Sequence, residues 1–244
     1  MTMIIDKILT LFSPPQTGVD AREIIEAEGN FYNDKGALKG CFEEVGNSAS
    51  ITLLSHERCP KFIIKIPRAG MEDWYFVFYK RKVAHHVEKE SLTLRVKIAD
   101  QMRAVISSSK LTLLHVPKKW KLTKGREGVI AEKVDLFSIK QREQFFHKMA
   151  PAIRKRYITQ VWVLVQKTGH QDIMNNLGLA KIDGVFKLVV YDIEPYGMTI
   201  STLEERLPKA TDHFLYQSPF TFEEKLEVIK EDRGRRDSNS QLPA

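Results

Sequence analysis

The chain has 244 residues, 43% hydrophobic and 28% charged, which is enough for a sizeable buried core and excludes global disorder. A formal charge of +7 and a pI near 9.3 favour anionic partners, but no arginine-rich arm or aromatic-interleaved basic repeat typical of nucleic-acid binders is present. Two cysteines, Cys41 and Cys59, provide neither a disulfide framework nor a zinc motif, and they fit reduced side chains of a reducing, cytoplasmic setting.

At the N-terminus, Ile4, Ile8, Leu11 and Phe12 have the spacing of a short amphipathic helix that stops at Pro14-Pro15. Asp6 and Lys7 interrupt it, and it is too short to span a bilayer, so no membrane span is expected. A second helix is expected from about Asp20 to Glu28, with Asp20 as its N-cap. Runs at 42–45, 49–54 and 61–66, separated by turn residues, predict a three-stranded meander. Residues 74–79 read as a further strand or the lead-in to a helix. Over 82–106 the apolar period changes: Val87, Leu94, Ile98, Met102 and Val105 share one face of a long helix, and Glu90 lies on that face.

Two more strands are expected at 111–116 and 128–134, then a helical region from 138 through 165. Runs at 177–181 and 186–191 flank Asp183-Gly184 and predict a hairpin. A last helix is expected at 222–231 with Thr221 as N-cap, followed by a polar tail read as disordered. Strands first and helices later predict an α+β chain of two lobes. The expected organisation is an N-terminal helical extension (1–40), a β-rich region (41–134), a reduced helical region (135–230) and a tail (231–244).

The polar residues that stand out are Gly169-His170-Gln171-Asp172-Ile173-Met174-Asn175-Asn176 and Val190-Tyr191-Asp192-Ile193-Glu194. The first stretch leaves a helix and the second ends a strand, so the intervening hairpin can bring Asp172, an asparagine and Asp192 together. Phosphoryl transfer needs little more: one carboxylate to orient the attacking hydroxyl, and an amide and a second carboxylate to hold Mg²⁺.

On these motifs the chain resembles the protein-kinase-like superfamily, especially its aminoglycoside and choline phosphotransferases, over residues 65–194. The resemblance implies a kinase-like two-lobed fold, with an N-terminal antiparallel sheet, one long helix and a reduced helical C-terminal lobe. It implies ATP and Mg²⁺ as cofactors, with Asp172 as catalytic base and Asn176 (Asn175 being the lesser choice) and Asp192 as metal ligands. Glu194 matches the Glu of an Asp-x-Glu pattern. Lys65, closing an apolar strand, would meet the nucleotide phosphates, and Glu90 would be its ion-pair partner. Residues Ala131-Glu132-Lys133-Val134 would form the hinge, Glu132 and Val134 receiving adenine through their backbone.

Two other readings stand beside this one. The turn between the first two strands has only Gly46-Asn47-Ser48 in place of a glycine-rich loop, and Asn176 follows Asp172 by four residues, one short of the family spacing. Both departures suit an inactive pseudokinase acting as a protein-interaction module. The basic run Val116-Pro117-Lys118-Lys119-Trp120-Lys121-Leu122 could hold nucleic acid with Trp120 stacked on a base, though a connecting turn before the hinge strand is the better reading of it.

Overall fold

The computed structural model describes residues 17–47, 51–67, 91–124, 128–193 and 202–240. The expected helix at 4–12, the 74–79 segment, the start of the long helix with Glu90, and Glu194 lie outside the described residues. The chain divides into two compact units, Met1–Lys97 with Pro117–Val134, and Ile98–Val116 with Asp135–Ala244.

The first unit begins with helix α1, Gly18–Ala27. Its N-cap is Thr17 rather than the expected Asp20. The Thr17 hydroxyl accepts the Asp20 N–H at 3.2 Å, and the Asp20 carboxylate accepts the Thr17 N–H at 3.1 Å. This reciprocal box needs its acidic member at the third helical position, which moves the boundary back to Thr17. Thr17→Ala is expected to lower stability by about 1 kcal/mol in urea unfolding; an unchanged midpoint would count against the box.

Strands β1 (Phe42–Asn47), β2 (Ile51–His56) and β3 (Phe62–Pro67) form the expected antiparallel meander. Strand β4, Leu114–His115, belongs to the second unit. Strands β5 (Lys119–Lys121) and β6 (Val129–Glu132) complete the first sheet, whose order is β1-β2-β3-β6-β5, every pair antiparallel. Lys119–Lys121 is thus an edge strand and not a connecting turn. The half-buried Trp120 drives this placement, its ring meeting Phe62 edge-on at 5.8 Å. Helix α1 packs on β5 and β6, and Ala21 and Ile25 join Phe42, Leu54, Phe62, Ile64, Ile66 and Ile130 in one apolar cluster. Strand alternation turns Ile63 and Lys65 to the opposite face from Phe62, Ile64 and Ile66.

Helix α2, Ser91–Ser108, buries Leu94, Ile98 and Met102, as the three- and four-residue spacing requires. The expected single helical region is two helices, α3 (Ile139–His147) and α4 (Pro151–Thr168). Pro151 lacks an N–H and has a fixed φ, so it starts a new helix instead of continuing the old one. Strands β7 (Leu177–Ile182) and β8 (Val185–Val190) form the expected hairpin. Its two-residue turn holds Asp183 at φ 51° and Gly184 at φ 79°, the left-handed pair that matches strand twist. The expected strand at 111–116 shortens to β4, which runs parallel to β8.

Helix α5, Leu203–Tyr216, was not expected from the sequence, because Pro208 interrupts its pattern. It forms because Thr202 and Glu205 make a capping box and because Arg206, Ala210 and Phe214, four residues apart, are buried on one face. Helix α6 covers Phe222–Ser240, well past the expected end and through most of the stretch read as a disordered tail. Side-chain bonds to α4 hold it there: Gln166 Nε2 donates to Asp232 at 2.7 Å, and Lys155 bridges Glu227 and Glu231. The described chain is therefore α+β, with an antiparallel N-terminal sheet and six α-helices. No described helix is long and apolar enough to cross a membrane.

Candidate functional site

Helix α4 delivers the first part of the site. Tyr157, Ile158, Val161, Trp162, Leu164 and Val165 anchor it in the core, so its C-terminal end is fixed in place. It stops at Gly169, whose left-handed backbone lets its N–H close on the Val165 carbonyl at 2.7 Å. His170 follows with its ring 1% exposed, and its Nδ1 accepts the Asp172 N–H at 3.2 Å. A nitrogen that accepts is unprotonated, so the neutral ring carries its proton on Nε2. The role this gives His170 is to shape the loop.

The chain then turns through a single 3₁₀ turn, Met174–Asn176, pinned by the buried Ile173 and Met174. The turn brings two amides back onto Asp172. Asn175 Nδ2 donates to Asp172 Oδ1 at 2.8 Å, and Asn176 Nδ2 donates to Oδ2 at 2.6 Å and to the Asp172 carbonyl at 3.1 Å. Asn175, which the sequence reading ranked second, thus bonds Asp172 as directly as Asn176 does.

The hairpin supplies the remaining carboxylate. Where β8 ends, the Tyr191 N–H donates to the Asn176 carbonyl at 3.1 Å, tying the strand end to the loop and placing Asp192 one residue on. Asp192 Oδ1 accepts the N–H of the fully buried Ile193 at 3.1 Å. Burial pushes the Tyr191 hydroxyl above its usual pKa, and the Asp192 and Asp172 carboxylates push the same way against Arg142. Both carboxylates therefore act on one phenol. Asp172 and Asn176 are thus hydrogen-bonded to each other, and Asp192 stands at the end of the strand that Tyr191 ties to Asn176.

No family model matches this chain, and no curated protein matches it.

The other expected site residues belong to the first unit. Lys65 is half-buried on β3, facing Leu53 of β2 and Val129 of β6 in register. Glu132 ends β6; its N–H donates to the Lys118 carbonyl at 3.0 Å and its carboxylate accepts the Lys118 N–H at 2.9 Å. The Lys133 N–H donates to the Lys61 carbonyl at 2.8 Å, and Val134 is half-buried just beyond. In the basic run, Lys119 is buried and Trp120 packs into the core cluster, leaving Lys118 and Lys121 exposed. Trp120 stays half-buried, with its ring edge-on to Phe62.

Proposed function

We propose that this chain is a kinase-like protein whose second unit carries a Mg²⁺–nucleotide site, used for phosphoryl transfer to an acceptor hydroxyl. The observation that carries the reading is the joining of loop and strand end by the Asp172–Asn176 and Tyr191–Asn176 hydrogen bonds. Sequence spacing alone could not require that contact. The donor set fits the implied cation: Asp192 and the Asn176 amide oxygen would hold it, and Asp172 would orient the hydroxyl. Mg²⁺, when bound, would neutralise charge on the transferred phosphoryl group. Lys65 and Val134, which the kinase-like resemblance assigns to the nucleotide, belong to the first unit, where the Glu132 and Lys133 N–H groups are already bonded.

A second reading has its own support. Both carboxylate oxygens of Asp172 already hold asparagine amides, which is also how a purely structural Asp–Asn turn satisfies itself. Together with the shortened Asp–Asn spacing, this suits a pseudokinase that binds a protein partner.

Thermal unfolding of the full chain with ATP, with and without Mg²⁺, separates the two readings. At a hundredfold excess over the dissociation constant, a native-state ligand stabilises by about 2.7 kcal/mol, several degrees for a chain of this size. The expected result is a Mg²⁺-dependent rise lost in Asp192→Ala. A rise that survives Asp192→Ala, or no rise at all, rejects the cation site and favours the pseudokinase.

A further inference from the structure

Glu28, Cys41 and His56 form no sequence motif, yet the first unit gathers them. Glu28 is the C-cap residue of α1, Cys41 leads into β1, and His56 ends β2. One ligand-capable atom of each lies within 4.8 Å of the other two. The His56 ring is 2% exposed and stands edge-on to Phe42 at 4.9 Å. Its Nδ1 accepts the Arg58 N–H at 3.2 Å, while its Nε2 is buried with no hydrogen-bond partner among the described residues. Native cores rarely leave a polar atom this way, because the lost water is not replaced. Beside the imidazole ring stand a carboxylate and a free thiol, both half-buried.

We propose that Glu28, Cys41 and His56 bind one divalent transition-metal ion, of which Zn²⁺ fits best. Thiolate, imidazole and carboxylate together are a borderline-soft donor set that zinc takes and that Mg²⁺ and Ca²⁺ do not favour. Zinc bond lengths of about 2.0–2.3 Å set ligand atoms roughly 3.3–3.6 Å apart. The three groups therefore need to draw in by at most about 1.5 Å, a movement that the half-buried Glu28 and Cys41 side chains can make by rotation. Coordination through Nε2 gives that atom the partner it lacks. The ring proton then sits on Nδ1, and the 3.2 Å contact with the Arg58 N–H is lost. That hydrogen bond contributes far less than a structural zinc site does. Cys41 releases its proton to solvent on binding. Three protein ligands leave the fourth position to water.

The test titrates the full chain, stripped with a chelator and kept reduced, with Co²⁺ and then Zn²⁺. The expected result is one equivalent of Co²⁺ with a thiolate-to-cobalt charge-transfer band, displaced by Zn²⁺. Cys41→Ser abolishes the band, Glu28→Gln weakens binding by about tenfold or more, and Cys59→Ser leaves both band and affinity unchanged. Cys41 and Glu28 are half-buried, so these variants keep the His56 packing and report on the site itself. Absence of the band at saturating Co²⁺, a band that survives Cys41→Ser, or one lost in Cys59→Ser overturns the proposal.

Discussion

Gly169→Val is expected to lower stability by about 2–5 kcal/mol, among the largest effects of any single change in the second unit. Two costs combine. Gly169 has φ 63°, a left-handed conformation in which any L side chain loses about 1–2 kcal/mol and a β-branched one fits worst. A Cβ there would also lie 2.8 Å from Leu203 Cδ1 and 3.2 Å from Arg206 Cβ and Nε. Leu203 is exposed enough to move, but Arg206 is buried and its Nη2 donates to the Thr168 carbonyl at 3.2 Å. Overpacking of this kind adds about 1–3 kcal/mol. Because Gly169 sets the exit of α4 into His170 and Asp172, the variant should also lose any Mg²⁺–ATP thermal shift. Urea unfolding of Gly169→Ala and Gly169→Val checks the order: alanine between glycine and valine. A valine cost below about 1 kcal/mol would mean the loop adapts and that Gly169 does not set its path.

Lys225→Met is expected to stabilise the protein by about 2–3 kcal/mol at neutral pH, with a benefit that fades in alkali. Lys225 is 1% exposed, donates to the Gln217 carbonyl, and lies 6.0 Å from the Phe214 ring centre. Burial lowers its pKa from 10.5 to about 8, outweighing the nearby Glu224 carboxylate, which acts the other way. Below pH 8 both folded and unfolded chains hold the proton, so the cost of burying the ammonium is present in full. Between pH 8 and 10.5 the unfolded chain holds more protons than the folded one, and wild-type stability from this group rises with pH. Methionine fills similar volume without the charge. Because the other titrating groups are common to both proteins, the difference between them isolates Lys225. Paired unfolding curves at pH 7, 9 and 10.5 should show the methionine advantage shrinking; a gap that stays constant would show that the ammonium is not paying a burial cost.

Local chemistry made much of the fold legible in the sequence. The β1–β2–β3 meander, the Asp183-Gly184 hairpin and the apolar face of α2 follow from alternation, turn residues and three- to four-residue spacing, all properties of a few neighbouring residues. Within the candidate site, Asp172, Asn176 and Asp192 were legible as chemistry-bearing residues because their backbone context, helix exit and strand end, is local too.

Tertiary contact decided the rest. The strand at Lys119–Lys121 reads as a basic turn until Trp120 meets Phe62. Helix α5 is masked by Pro208 until Ala210 and Phe214 find a core. The C-terminal half of helix α6 reads as a polar tail until Asp232 meets Gln166. That Glu28, Cys41 and His56 share one small volume is likewise a product of packing between distant segments. Composition and periodicity report the preferences of single elements, whereas the stability of these contacts comes from surface that only a second element can bury.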